Sequence, residues 1–532
     1  MSKAITERPN QGPQPGGGQP PAETAPSFVR EDEPRVARLA GMAGVMLAVL
    51  GGMALGMILA NRPSGLVGPS LGSTCLLTGL VLMLLHAAVD RDLQIRRTYL
   101  VFALLLLTAG VVLCLVPAEG QVGRLFVAGY PCLLVAWLFL TSAVRNETDE
   151  AWRRPVVGVL GVVGAVLALT GFIGGNIGHG NFLTPHGLLL ALLGLGYLCS
   201  FVGTRGVSDD LAYWIGVGMG AVGVLFFLIA LGRSILPPIL YARHWINTRP
   251  EPYVVPVGIL LMGLGLAYAA VSAGLCSENR LVVMTRRELA AFFYSPVAYI
   301  VLLGFTVIGG LQFLWFVGMV TDWQRAGLRA PLVEPVVREF FMNDICLFAM
   351  AFIVPALTMR LLSEEQRTGT MEVLLTAPVD ETAVVLSKFF AAWLFFLLLW
   401  VPWGLFLLAL RVMGGQALDY RPLLSFLIAL GCTGAGFIAM GLFFSSITRN
   451  QIVSAVLTFV GMLVLTAVVL GPRLIGNPDS PWVSVMNHAS YINLWAESLD
   501  GKLEFKFPVF HLSAAALWLF LTVKVLDARK WS

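Results

Sequence analysis

The stretch Phe389–Leu410, FFAAWLFFLLLWVPWGLFLLAL, carries no charged residue along its whole length. A helix of about twenty apolar residues, rising 1.5 Å each, crosses a hydrocarbon core roughly 30 Å thick. This run therefore reads as a membrane span, and the rest of the chain repeats it. Working outward, comparable runs are Leu39–Ala60, Leu66–Val89, Tyr99–Pro117, Leu125–Val144, Val156–Gly174, Pro185–Gly203, Leu211–Gly232 and Tyr253–Leu275. Pro296–Val320, Asp344–Leu362, Leu423–Thr448, Ile452–Gly471 and Val509–Leu526 complete a set of fourteen. The expected fold class is an all-α polytopic membrane protein of about fourteen transmembrane helices.

Composition agrees. Of 532 residues, 57% are hydrophobic and only 12% charged, and mean hydropathy is +0.81. Soluble domains carry roughly 25% charged residues. The formal net charge of +4 is scattered over short loops, which is no nucleic-acid footprint, and most of the 35 Lys and Arg read as topology determinants. With the N-terminus inside, the inner loops hold Arg91, Arg96 and Arg97, then Arg145, Arg153 and Arg154, then Arg280, Arg286 and Arg287, and the C-terminus holds Lys524, Arg529 and Lys530. The short outer loops Asn61–Gly65, Ala118–Arg124 and Gly175–Thr184 are poor in Arg, while Arg233–Pro252 carries three and runs against the rule. The balance places both termini in the cytoplasm and the chain in the inner (plasma) membrane.

Three regions are expected: residues 1–35, a Pro-, Gly- and Gln-rich disordered cytoplasmic tail; 36–276, with eight spans; and 277–532, with six. In the middle region, Gly52 and Gly56, and Gly216 and Gly220, have the spacing that lets helices approach closely. The seven cysteines lie in or beside apolar runs without CxxC spacing and read as packing residues.

Two polar stretches carry more information. Asn279–Tyr294, NRLVVMTRRELAAFFY, interleaves Arg280, Arg286, Arg287 and Glu288 with Leu281, Met284, Leu289, Phe292 and Phe293. It suits a helix lying in the membrane interface, or a basic flank that only orients the next span. Ser295 and Pro296 supply an N-cap and a first-turn proline for that span. Ser363–Lys388, SEEQRTGTMEVLLTAPVDETAVVLSK, is acidic at Glu364 and Glu365, carries Arg367, and is interrupted at Gly369. Thr370 can cap a short helix over Met371–Thr376, Pro378 stops it, and Asp380 can cap the following span. Met371, Val373, Leu374 and Leu375 call for cover, either by a partner protein or by the loop itself.

RRELAAFFYSPVAYIVLLGF, SEEQRTGTMEVLLTAPV, SKFFAAW and FLTVKVLDARKW, in that order over Asn279–Trp531, resemble ABC-2-type transporter permeases of the gliding-motility subgroup. They are more distantly similar to the permease of the nitrous-oxide-reductase copper-maturation system. The resemblance implies a six-helix ABC-2-type permease bundle. It places Arg286, Arg287 and Glu288 on a connecting helix, and Glu364, Glu365, Arg367, Thr370 and Glu372 in a coupling loop that docks on an ATP-binding subunit. Ser446–Gln451, with Arg449 and Asn450, is a further candidate contact. The expected partners are that ABC ATP-binding subunit, a second copy or a related permease, and the lipid membrane.

The chain offers no nucleotide site of its own. No GxxxxGK(S/T) loop occurs; the Gly501–Lys502 pair is followed by Leu503, and Ala496 stands where the upstream glycine belongs. The six histidines lack ligand spacing and no hydrolase constellation is visible, so neither a cofactor nor a metal nor an enzymatic activity is expected. Asp344 stands at a span start, where it suits the helix dipole, and carboxylates within spans are nearly absent, which disfavours a proton-coupled transporter. In the outer loop Pro472–Pro508, Trp482, Tyr491 and Trp495 are expected at the interface. Two functions stay open: a permease of an ATP-driven transporter for export or for a surface or maturation complex, and a membrane scaffold anchoring a motility or surface-processing assembly.

Overall fold

The structure is a computed structural model of the chain. It describes residues 33–59, 69–89, 92–115, 123–147, 149–177, 186–204, 208–245, 258–294, 296–325, 337–342, 344–371, 380–412, 421–475 and 480–530. Among these no strand occurs. The helices are α1 (Glu33–Leu59), α2 (Pro69–Val89), α3 (Leu93–Cys114), α4 (Gly123–Asn146), α5 (Glu150–Ile177), α6 (Leu188–Val202), α7 (Asp209–Ala242), α8 (Ile259–Cys276), α9 (Arg280–Tyr294) and α10 (Pro296–Arg325). There follow α11 (Val337–Phe341), α12 (Asp344–Thr358), α13 (Ser363–Thr368), α14 (Glu381–Leu399), α15 (Val401–Val412), α16 (Arg421–Ile447), α17 (Gln451–Ile475), α18 (Pro481–Ala489), α19 (Tyr491–Leu499) and α20 (Lys506–Lys530). Apart from residues 33–35, which open α1, the expected N-terminal tail lies outside the described residues.

Ten helical stretches among the described residues are long and apolar enough to cross a membrane. Leu39–Ala54, Cys75–Ala87, Gly129–Arg145 and Leu188–Val202 are apolar but shorter, and they stand where the first, second, fourth and sixth expected spans fall.

The chain forms two compact units, Met1–Thr108 with Val135–Arg153, and Ala109–Leu134 with Arg154–Ser532. In the first, α1 and α2 pack through glycine. A Cβ at Gly44 would stand 2.9 Å from Met83 N, and one at Gly79 would stand 2.7 Å from Gly44 O. The close face thus runs through Gly44 and Gly51. Gly52, expected at a helix contact, meets nothing within 4 Å, and the surroundings of Gly56 lie outside the described residues. A 3.6-residue period puts neighbouring glycines on different faces, and spacing alone does not say which face is used.

In the second unit Gly216 and Gly220 do lie at a close contact. Ser272 Oγ on α8 donates to Gly216 O at 2.7 Å, and a Cβ at Gly223 would meet Gly265 O at 2.6 Å. Buried tyrosines cross-tie this part: Tyr268 donates to Ala191 O at 2.6 Å and Tyr197 to Leu133 O at 2.8 Å. With nothing but hydrocarbon outside, such ties and tight van der Waals packing replace the hydrophobic effect between helices.

One expected boundary moves. Helix α7 has 34 residues, so it runs about 51 Å and continues through Arg233, Pro237 and Pro238 to Ala242. The sequence reading ends that span at Gly232, because arginine and proline look like a loop. Helix α14 starts at Glu381, directly after Asp380, where the sequence places the cap of the helix that leads into the Phe389 span.

The large core lies in the C-terminal part. Helix α16 is its axis, packed on α12, α13, α14, α17, α19 and α20. Around it Phe305, Phe340, Trp403, Phe395, Phe437 and Trp495 are each less than 2% exposed. Tyr491 and Trp495, expected at the membrane interface, belong to this core. Trp495 Nε1 donates to Thr433 Oγ1 at 3.0 Å, and Tyr491 OH meets Thr466 Oγ1 at 3.1 Å. The segment after α17 forms α18 and α19 and packs the apolar face of α19 into the core. Trp482 alone of the three stays exposed, at 71%.

Candidate functional site

The two polar stretches meet. Helix α9 is amphipathic as its pattern predicts, with Asn279 Oδ1 accepting from Leu281 N at 2.9 Å at its start. Its apolar side packs on α14, where the Phe292 ring stacks on Phe395 at 5.0 Å and 12° and Phe293 meets the same ring edge-on. Three charged residues follow one another in sequence and diverge in space. Arg286 Nη1 turns back to the carbonyl of Leu275 at 2.9 Å and caps the end of α8. Arg287 faces a cavity. The carboxylate of Glu288 reaches across to α14.

There it finds Lys388. The ammonium of Lys388 stands 2.9 Å from Glu288 Oε2 and 2.7 Å from Glu365 Oε1, and its side chain is only 5% exposed. One buried cation thus joins α9, α13 and α14. A buried lysine is costly without partners, and breaking such a pair typically costs about 3–5 kcal/mol. The triad is accordingly a strong constraint on how these three helices sit.

Helix α13 is a single short turn region pinned on several sides. The backbone N–H groups of Leu362 and Ser363 both donate to Ser445 Oγ on α16, each at 3.0 Å. Gln366 Nε2 donates to Ser446 O at 2.7 Å. Arg360 grips Glu364 with two bonds, Nε to Oε2 at 2.8 Å and Nη2 to Oε1 at 3.0 Å. Gly369, at φ +75°, ends the helix in the left-handed region that glycine tolerates. Thr368 and Thr370 hydroxyls then pair at 2.9 Å.

The expected coupling residues therefore divide. Glu364 and Glu365 are held by Arg360 and Lys388, while Arg367 and Thr370 are exposed. Of the expected helix Met371–Thr376, everything from Glu372 onward lies outside the described residues. Met371 is buried in the chain's own core, at 6% exposure, so this one apolar residue is covered without a partner. Asp380 occupies the N-cap position of α14 but makes no side-chain cap bond. Ser295 falls outside the described residues. In the Ser446–Gln451 turn, Asn450 Oδ1 caps α17 by accepting from Ile452 N at 2.9 Å, and Arg449 is exposed.

Lys388 and Ser445 are the residues sequence reasoning missed. A signal exists for the lysine. In VVLSKFFAAW, positions three and four residues to either side of Lys388 are Val384, Val385, Ala391 and Ala392, so no helical neighbour can neutralise it. A lysine so placed needs a carboxylate from another element.

Residues 331–493 match the family model described as ABC-2 family transporter protein. No curated protein matches the chain. The matched segment holds α11 to α18, hence α13, Lys388 and Ser445. With the apolar helices it makes the chain a multi-pass membrane protein carrying an ABC-2 transporter permease domain. Helix α9, which supplies Glu288, lies before the matched segment.

Proposed function

We propose that the chain is the membrane-spanning subunit of an ATP-driven ABC-2-type transporter, energised by a separate ATP-binding subunit that docks beside α9 and α13. The observation that carries this reading is the Glu288–Lys388–Glu365 triad within and against the family-matched segment. A force applied to α13 is passed to α9 and α14 through buried charge rather than through a flexible loop. ATP can bias a membrane conformation only through contacts that differ between its two states. A short helix locked to two membrane helices is a suitable place for such contacts.

In this reading both termini and the α13 region face the cytoplasm, and the chain sits in the inner membrane. Two permease halves surround one pathway, supplied by a second copy or a related permease. The export or maturation role, and the gliding-motility-type subgroup, follow the sequence resemblance over Asn279–Trp531.

Affinity purification of the tagged chain from its native membrane tests the reading. An ABC ATP-binding subunit is expected to co-purify, and Arg367→Glu to weaken that association while leaving the chain monodisperse. Arg367 suits this purpose because it is exposed, and its acidic neighbour Glu364 is already gripped by Arg360. Recovery of the intact assembly without any ATPase would refute the proposal.

A further inference from the structure

A cavity of about 420 Å³ lies where α9, α10, α12, α13 and α14 converge. One part of its wall is apolar, with Ala298, Leu357 and Leu361, and the other part is charged. The charges are nearly all committed. Lys388 lies between Glu288 and Glu365, and Arg360 is held bidentately by Glu364. Arg287 remains: it lines the cavity, is exposed, and has no acidic partner among the described residues. A guanidinium in that condition offers a planar set of donors to an oxyanion and is the usual residue for phosphate.

The surroundings specify what bears the anion. Helix α9 has the interleaved basic and aromatic pattern of an interfacial helix. Ala291 stands one helical turn beyond Arg287 on the same face and also lines the cavity. Beyond it the wall turns apolar. A free phosphate would match the guanidinium and leave the apolar wall wet. A phospholipid would satisfy both, its phosphate at Arg287 and its glycerol and first acyl carbons along Ala291, Ala298 and Leu357.

We infer that this cavity is a binding site for one phospholipid, held by its phosphate at Arg287. The lipid sits against the same three helices that the Lys388 triad joins, so its presence reinforces that junction. The site is separate from any nucleotide and does not depend on the identity of the transported substrate.

Native mass spectrometry of the delipidated full-length chain, titrated with phosphatidylglycerol in detergent micelles, tests the inference. One tightly retained lipid per chain is expected. Arg287→Glu removes a charge-assisted contact and is expected to weaken retention by roughly tenfold or more. Ala291→Trp, an exposed position where added bulk does not enter the core, is expected to weaken it comparably by filling the cavity. Arg287→Lys keeps the charge and should retain the lipid better than Arg287→Glu. Inorganic phosphate should not displace the lipid. Equal retention by parent and Arg287→Glu overturns the site. So does loss with Arg287→Glu but full retention with Ala291→Trp, which would mean surface charge without a cavity. Displacement by inorganic phosphate overturns the lipid in favour of a free anion.

Discussion

Lys388→Met isolates the buried cation, because methionine keeps the length and removes the charge. In the parent, an ammonium with a 5% exposed side chain holds two carboxylates that are each about a quarter exposed, 26% for Glu288 and 25% for Glu365. Without it, two anions face one another across a partly dry site. Removing one partner of a buried pair costs about 3–5 kcal/mol, and the partial exposure of both carboxylates argues for the lower end, about 3 kcal/mol. At roughly 2–4 °C per kcal/mol, the apparent melting point of the detergent-solubilised chain should fall by about 6–12 °C. Fluorescence-detected size-exclusion chromatography after graded heating reads this directly. Glu288→Gln alone leaves the Glu365 pair and should cost less. The triple variant Lys388→Met/Glu288→Gln/Glu365→Gln removes every charge and should recover most of the loss, since well-packed neutral groups often replace a buried ion pair without penalty. A single variant that melts within about 2 °C of the parent, or a triple variant less stable than Lys388→Met, would refute the electrostatic account.

Other consequences are as direct. Ser445→Ala leaves two backbone N–H groups of α13 without their acceptor and should destabilise by about 1–3 kcal/mol, with early hydrogen exchange at Leu362 and Ser363. Trp495→Phe deletes the bond to Thr433 and part of the aromatic core, so it should lower the melting point and remove a buried tryptophan's fluorescence contribution. Gly223→Leu forces a side chain onto Gly265 and should separate α7 from α8, costing about 1–3 kcal/mol, while Gly218→Leu, with nothing within 4 Å, should be tolerated. A cysteine at Thr370 should react with a membrane-impermeant maleimide in inside-out vesicles and not in intact cells; labelling in intact cells would reverse the proposed sidedness.

Much of the fold is legible in the sequence, and the reason is the solvent. Runs such as FFAAWLFFLLLWVPWGLFLLAL announce helices because a membrane admits little else. The amphipathic stretch Arg280–Tyr294 and the break at Gly369 are equally readable, since periodicity and glycine are local properties. The errors arise where a residue's meaning depends on a distant partner. Arg233 and the proline pair look like a loop and are helix. Tyr491 and Trp495 look interfacial, and their polar atoms are met by Thr466 and Thr433 inside the core. The candidate site shows the same division. Glu365 reads as an exposed docking residue, yet its carboxylate is bound by a lysine from the next membrane helix. Nothing near Glu365 in sequence signals this, and only the lysine's lack of local counterions hints at it.

The guanidinium of Arg286 has an effect that reaches beyond its own helix. Only Ser277–Asn279 separate α8 from α9, and Arg286 closes that gap by reaching back to Leu275. A three-residue connection braced in this way is a splint rather than a swivel. Any rolling of α9 must either carry the end of α8 with it or break the brace. The α7–α8 hairpin is welded face to face by its glycines and Ser272, so it would travel as one piece. The α7–α8 hairpin is thereby geared to α9, without an interface of its own making.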